Sequence, residues 1–572
     1  MKLNFKKICN IIKPRWELVL YIMFFLSIFT IAHAIRAVLL AFIIDEVVLS
    51  GQIQLLIKVF MLLILSTVVH LIAPFYYHYF LHIFSNKLKF NLFLNSVRHI
   101  NRLPLGYFKK INSAYLANRL IADINAFASS MSEKSFEFIA SIVTFLVAIV
   151  VGFGLSWQLT LLLLFYQPIY LYFVHRGSKK LQDLTTHFQE TQATLGKHLT
   201  EGFSGIYEVK SYNYYPFSLI QIGNAVKKHT LATLNLNIFN QLYYASRNGI
   251  LVFFVFALYY LLAVYLILRG QMTIGTLFAF QFIMPNITGP LRGLTNINVF
   301  LQTAKVAMNR ILEILEIPQE QIEGKVIKSV RGEIKLKNVS FIYNKKEILK
   351  NINITIKSGE KIAIVGKTGV GKTTLVNLLL KYFRPTNGEI LIDGVNINDL
   401  NTNCLRSRIV VVPQNVFIFN LTLKDNIKIG NPGASDNEIK QVLTLSGLAE
   451  ISDHLPHGLD ANIGEKGTDL SGGERQRIGI ARAILKKPDV LIMDEALSQV
   501  DSYTEDIVNY AISKIFKEKS VIVIAHRLST IKKCDTIFVI HNGRLVAQGS
   551  HSSLAKTCKE YQDLYQQQFL IS

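Results

Sequence analysis

The sequence predicts an α-helical transmembrane bundle followed by an α/β domain of the P-loop NTPase type. Three observations carry that reading. Mean hydropathy is +0.33 and 17% of the 572 residues are charged, against about 25% in ordinary soluble domains. The charge is uneven: 41 of the first 324 residues are Asp, Glu, Lys or Arg, but 59 of the remaining 248. Finally, a β-branched run ending at Val365 leads into GKTGVGKTT and then an apolar helix. The expected domains are therefore 1–324 as a transmembrane domain and 325–572 as a nucleotide-binding domain.

Six apolar stretches, 16–44, 55–84, 136–155, 157–174, 250–268 and 274–301, are long enough, or nearly so, to cross about 30 Å of hydrocarbon at about 20 residues each. The last is interrupted by Pro285, Gly289 and Pro290, which a membrane helix tolerates when neighbours satisfy the freed backbone. Ala32-His33-Ala34 imitates a signal-peptidase site. The apolar run resumes beyond it at Val38, past the length of a signal-peptide core, so this stretch is expected to remain as a span.

Basic residues alternate with the spans. Lys2, Lys6, Lys7, Lys13 and Arg15 precede the first, whereas 45–54 holds Asp45 and Glu46 and no Lys or Arg. The loop 85–135 carries Lys87, Lys89, Arg98, Arg102, Lys109, Lys110, Arg119 and Lys134, and 175–249 is basic again. Both termini and both long loops are thus expected in the cytoplasm. The loops read as amphipathic helical hairpins, and one of about 50 residues reaches about 38 Å from the membrane. The net charge of +22 would otherwise fit nucleic-acid binding. Its first-half share sits in loops between spans, so no nucleic-acid partner is expected. Cys9, Cys404, Cys534 and Cys558 lie far apart with no metal-binding spacing, which favours reduced structural thiols.

His33, Arg36 and His70 lie in or near the first two spans, where a charge costs about 2.5–3.5 kcal/mol on insertion scales. Such residues usually face the bundle interior, so they are candidates for a substrate cavity that takes an anionic head group; structural pairing is the alternative. Asn286, Thr288, Asn296 and Asn298 give the sixth span a polar face, suited to cavity lining or to helix–helix hydrogen bonding.

The P-loop comprises Gly366, Lys367, Thr368, Gly369, Val370, Gly371, Lys372, Thr373 and Thr374. Its glycines let backbone N–H groups curl around phosphate oxygens at a helix N-terminus. Lys372 is expected to neutralise the β and γ phosphates, and Thr373 to ligate Mg²⁺. About 120 residues on, VLIMDE ends a buried strand in two carboxylates. Asp494 is placed to hold the magnesium through its shell, and Glu495 to polarise the attacking water as general base. Between them Ser471, Gly472, Gly473 and Glu474 open a helix in LSGGERQR, a second candidate anion site.

These motifs resemble those of the ATP-binding cassette (ABC) transporter family, whose signature is LSGGERQR. The resemblance covers nearly the whole chain and is to a half-transporter of the exporter class, similar to bacterial multidrug and lipid exporters. It extends to GQMTIGTLFAF…AKVAMNRILEIL at 270–315 and to EGFSGIYEVK at 201–210. It implies that Tyr343 stacks on adenine, that Gln414 senses magnesium and the attacking water, and that His526 contacts the γ-phosphate. Asp501 would cross a dimer interface, and IGEKG at 463–467 would touch the membrane domain's loops. Two departures are visible: SQVD stands where SALD is usual, and Ala114-Tyr115 where a Gly-Glu pair is usual.

The resemblance further implies a dimer with a second half-transporter, homodimeric or heterodimeric, with ATP held between one chain's P-loop and its partner's signature. The residues needed for hydrolysis are present, which favours a homodimer. The expected function is ATP-driven export or flipping of an amphipathic drug, lipid or peptide across the bacterial cytoplasmic membrane, with membrane lipids as surroundings. An ATP-gated channel or membrane regulator is the alternative, and intact Glu495 and His526 weigh against it. No further domain is expected ahead of the first span, which disfavours a peptide-processing exporter.

Overall fold

The structure is a computed structural model that describes residues 15–48, 52–109, 111, 113–245, 251–463, 470–496, 502–524 and 527–569. The chain divides into two compact units. One comprises Met1–Asn101 and Ser113–Ile317; the other comprises Arg102–Asn112 and Pro318–Ser572.

Among its described residues the first unit is built of helices, the main ones being α1 (Trp16–Phe42), α2 (Ile53–Ile100), α3 (Ser113–Ser129), α4 (Ser135–Leu155), α5 (Trp157–Ser204), α6 (Tyr215–Tyr244), α7 (Leu251–Leu268), α8 (Ile274–Thr288) and α9 (Pro290–Leu315). Where described, the six apolar stretches fall in these helices, the first running two residues past α1 into a π-helical turn. Among the described residues, Trp16–Val47, Ile53–Ile100 and Tyr115–Leu155 are long and apolar enough to cross a membrane, while Phe253–Leu268 and Ile274–Thr288 are shorter apolar helices. The fourth stretch is the apolar start of α5, which continues without interruption into the loop. At 48 residues each, α2 and α5 run for about 72 Å, so more than half of each extends beyond the hydrocarbon. The sixth stretch breaks at Gly289, where Pro290 opens α9 in the first helical turn, a position that needs no backbone donor.

Apolar side chains pack inward and outward in this unit. Ala37, Leu159, Leu163, Tyr259, Phe280, Ile283 and Ile287 form a buried cluster. Leu20, Val150, Phe165 and Leu261 are at least 70% exposed, as expected where lipid is the solvent. Polar ties join the helices: Gln167 Nε2 donates to Ile287 O at 2.8 Å, Ser66 Oγ to Ala32 O at 3.0 Å, and Ser132 Oγ to Ser85 Oγ at 2.9 Å. Beyond the end of α1, the Asp45 carboxylate accepts from Gly275 N–H at 2.8 Å and from the Thr273 hydroxyl, fastening α1 to the first turn of α8.

Among its described residues the second unit holds ten strands. β1 (Ile334–Tyr343), β2 (Lys346–Ile356), β4 (Asn387–Ile392) and β5 (Val395–Asn396) form an antiparallel sheet in the order β2-β1-β4-β5. The other six are β3 (Lys361–Val365), β6 (Ile409–Val412), β7 (Val490–Asp494), β8 (Ser520–Ile524), β9 (Thr536–His541) and β10 (Arg544–Gly549), ordered β10-β9-β3-β8-β7-β6. From β9 to β6 every pairing is parallel. β7 and β8 are buried at every position, as strands covered on both faces must be. The parallel register aligns carboxyl ends: Val412 with Met493, Asp494 with Ile524, and Ile364 with Ile524. Whatever follows these strands meets along one edge, the usual ligand crevice of an open α/β sheet.

Candidate active site

That edge collects the P-loop after β3, Gln414 after β6 and Glu495 after β7. A cavity of 540 Å³ there is lined by Ile348, Thr368, Gly369, Gly371, Lys372, Thr373, Thr374, Gln414 and Glu495. The loop's shape depends on its glycines. A Cβ on Gly366 would lie 2.3 Å from Ile540 O, and one on Gly371, at φ +109°, would lie 2.7 Å from the Leu349 side chain. Gly371 caps α10 (Lys372–Leu379), so the donors of that helix's first turn point into the cavity.

Lys372 is buried, and its Nζ donates to Gly366 O at 2.6 Å and Lys367 O at 3.2 Å. Burial pulls its ammonium below the usual lysine range, with Glu495 and Asp494 opposing. Glu495 sits at φ +52°, a conformation uncommon for a residue with a Cβ. Its N–H donates to Ile524 O at 2.9 Å, and its carboxylate receives the Gln414 side-chain amide. Asp494 is buried at the strand end.

The signature helix α11 (Gly472–Lys486) starts in a reciprocal capping box: Ser471 Oγ accepts from Glu474 N–H at 3.2 Å, and the Glu474 carboxylate accepts from Ser471 N–H. This bond uses Ser471 as an acceptor and leaves its O–H uncommitted. None of Ser471, Gly472, Gly473 or Glu474 lines the P-loop cavity among the described residues. Tyr343 lies at the end of β1 and also does not line it; its ring stands edge-on to Phe383 at 6.0 Å. Asp501, His526 and residues 464–467 lie outside the described residues, as does the side chain of Asn296.

Three residues of this unit escaped the sequence reading of roles. Gln476, 1% exposed on α11, donates to the backbone carbonyls of Gln414 at 3.3 Å and Glu495 at 3.4 Å. Arg482, one and a half turns further along the same helix, donates to Asn426 O, Asn426 Oδ1 and Phe417 O, each at 2.8 Å. Burial pulls its guanidinium down to about 10, so it remains a cation at neutral pH. Glu505, on α12 (Ser502–Ile515), accepts from Arg527 at 2.7 Å and from Thr530 Oγ1 at 2.9 Å, joining the segment after Asp501 to the one after His526. The available signal was that Gln476 belongs to LSGGERQR. Gln476→Leu is expected to lower ATPase kcat about tenfold, the loss of two buried tethers at about 1 kcal/mol or less each, with the KM for ATP within twofold; steady-state kinetics checks this. An unchanged kcat would leave Gln476 a packing residue only.

A piece of the first long loop belongs to this unit. The turn Leu105–Phe108 brings Gly106 against Phe383, where a Cβ would lie 3.1 Å from the ring. Lys109 Nζ stands 5.2 Å above the same ring, and Glu320 N–H donates to Arg102 O at 2.7 Å. The docked residues, Arg102 to Lys109, precede Ala114-Tyr115, and Tyr115 is exposed.

Residues 19–291 match the ABC transporter transmembrane region, and residues 349–498 match the ABC transporter family. The chain is 30% identical to an ATP-dependent lipid A-core flippase of Acinetobacter baylyi, covering 100% of both proteins. It belongs to the ABC transporter family. This ABC transporter is also 33% identical to an ATP-dependent lipid A-core flippase of Syntrophus aciditrophicus, across 82% of its own length and 78% of that protein. It is 28% identical to an uncharacterised ABC transporter ATP-binding protein of Bacillus subtilis, across 99% and 94%. Its fold matches that of a bacterial Atm1-family ABC exporter with ATP bound, with a TM-score of 0.80, 23% identity and coverage of 96% and 98%. The transporter is an integral membrane protein that binds ATP and couples its hydrolysis to transport.

Proposed function

We propose that the transporter flips or exports an amphipathic, lipid-like substrate as a dimer, with ATP hydrolysed at two composite sites. One observation carries the dimer: the P-loop cavity is lined by Lys372, Thr373, Gln414 and Glu495 but by none of the residues from Ser471 to Glu474 among those described. A second copy would bring its Ser471 hydroxyl and α11 N-terminus to the phosphates that the first copy's loop holds. The lipid-like substrate rests on the relatives named as lipid A-core flippases, and their bacterial source and the basic loops support a place in the bacterial cytoplasmic membrane.

Within each site Lys372 and the loop N–H groups grip the β and γ phosphates, and Tyr343 receives the adenine. Glu495, oriented by Gln414 and Gln476, takes the proton of the attacking water. Thr373, Gln414 and Asp494 offer the hard oxygen donors that Mg²⁺ requires, and the ion would neutralise phosphate charge there. His526 and Asp501 are assigned to the γ-phosphate and the dimer interface. Closure of the two cassettes on ATP would turn the membrane helices outward, and hydrolysis would release them.

The test mixes two inactive variants. Lys372→Ala and Ser471→Arg chains co-purified as mixed dimers retain one intact composite site per mixed dimer, so ATPase activity should return. No recovery at any mixing ratio would overturn the composite site. ATP-dependent movement of fluorescent lipid across vesicle membranes checks the transport step, and its absence across lipid classes would overturn the substrate reading.

A further inference from the structure

The chain passes between its two units at Asn101–Arg102 and again at Ile317–Pro318, and these two crossings are tied together on both sides. Within the membrane unit His99 Nε2 donates to Ile317 O at 3.1 Å. Within the cassette unit Glu320 N–H donates to Arg102 O at 2.7 Å. One side chain of the cassette unit holds this joint. Arg406 grips the Glu320 carboxylate with both ends of its fork, Nη1 to Oε2 at 2.8 Å and Nη2 to Oε1, the paired geometry that suits a guanidinium best. The same guanidinium donates through Nε to Leu380 O at 3.0 Å and through Nη2 to Lys381 O at 3.2 Å. Its Cζ lies 4.4 Å above the Tyr382 ring. All three nitrogens are engaged, and the two partners are only 25% and 20% exposed.

Leu380 caps the C-terminal end of α10, the helix whose first turn opens at the P-loop. Carbonyls at a helix end lack a partner within the helix and carry the negative pole of its dipole, so a guanidinium is favoured there on both counts. α10 has eight residues and is about 12 Å long. One end of this short rod meets the phosphates, and Arg406 fastens the other. Further bonds hold the tether that follows Ile317, residues 318–325, to other parts of the cassette unit. Thr402 Oγ1 donates to Gln321 O at 2.8 Å, Thr402 N–H to Ile322 O at 3.2 Å, and Lys325 N–H to Asp399 O at 2.7 Å. These bonds do not reach α10. Arg406 bonds to both the tether and the helix end, and through Glu320 it stands one residue from the bond to Arg102.

We propose that Arg406 is a positioning residue for coupling. Through Glu320 it fixes the end of the P-loop helix to both chain crossings, so that nucleotide taken up at one end of α10 moves the segments that lead to α2 and α9. Arg406 touches neither nucleotide nor substrate. Its role goes beyond the composite site and the lipid substrate proposed above, and it depends on neither.

The test uses the full-length protein in lipid nanodiscs, with hydrogen–deuterium exchange read by mass spectrometry. The probe is adenylyl imidodiphosphate, a non-hydrolysed ATP analogue, with Mg²⁺. In the wild type, nucleotide is expected to slow exchange about fivefold or more in α10 and to change it about threefold or more in the C-terminal turns of α2 and α9. Glu320→Ala is the deciding variant, because it leaves Arg406 its bonds to Leu380 and Lys381 and leaves the tether its bonds to Thr402 and Asp399. The response of α10 should persist in it, while the response of α2 and α9 is lost. Arg406→Ala should behave alike, and the double variant should lose no more than either single one, since the same interaction is removed in all three. The kcat of ATP hydrolysis and the KM for ATP should stay within about twofold, because neither residue lines the P-loop cavity. Should Arg406→Ala fail to fold by its thermal midpoint, Arg406→Gln, which keeps a donor for the carbonyls but loses the fork, replaces it with the same expectation. Glu320→Ala with the full response in α2 and α9 overturns the coupling role and leaves Arg406 a cap on α10. A matching loss in α10 itself, or a KM raised about tenfold, also overturns it, since Arg406 would then serve the nucleotide site. So does a wild type whose α2 and α9 do not answer nucleotide at all. Each of these outcomes leaves the mixed-dimer test of the composite site standing.

Discussion

Glu495→Gln should bind ATP as the wild type does while ATPase turnover falls by about 100-fold or more, the usual share of a general base. The substitution preserves shape. Residue 495 would keep its φ of +52°, its backbone bond to Ile524 O and an amide oxygen able to accept from Gln414. Only basicity is removed. Because the cavity lining is otherwise intact, the expected species is a nucleotide-loaded protein that does not release phosphate. Equilibrium binding of labelled ATP beside a phosphate-release assay separates the two steps. Turnover above a tenth of wild type would take Glu495 out of the base role.

Lys372→Ala should fail one step earlier, at binding, with ATP affinity reduced by about 100-fold or more. A buried charge-assisted hydrogen bond is worth about 1.5–3 kcal/mol, and this ammonium also supplies the loop's neutralising charge. In the structure its Nζ is held by the carbonyls of Gly366 and Lys367, and burial disfavours its charged form. Incoming phosphate would reverse that penalty, giving the lysine a larger stake in the bound state than in the free one. Removing it also leaves two inward-facing carbonyls without their donor. Titration with a fluorescent ATP analogue checks this, and affinity within threefold of wild type would contradict it. With Glu495→Gln, the pair splits grip from hydrolysis.

What the sequence disclosed and what it withheld follow from the range of the interactions involved. The P-loop was legible because Gly366, Gly369 and Gly371 answer to local backbone geometry. The break in the sixth span was legible because Gly289-Pro290 is a local instruction. The membrane helices were legible from apolar length, although the end of the fourth stretch was not, since α5 passes from lipid into the loop as one continuous helix. Gln476, Arg482 and Glu505 were withheld because their roles consist of hydrogen bonds to residues 19 to 65 positions away. The group of His33, Arg36 and His70 was half visible. Its residue types stood out in an apolar run, and Arg36 bonds to His33 one turn back on the same helix, but that His70 of α2 lies beside His33 is tertiary information.

The docking of Arg102–Asn112 in the cassette unit has a consequence for how the protein is made. Gly106 leaves the ribosome before Phe383, the ring it rests on, has been synthesised, and at 5–20 residues per second the interval is about 15–55 s. Throughout that interval Gly106 and Lys109 lack the Phe383 ring they rest on. A cassette expressed alone from Pro318 would therefore lack a strip of its own surface. Biogenesis here closes backward along the chain, the last-made half completing a fold begun in the first.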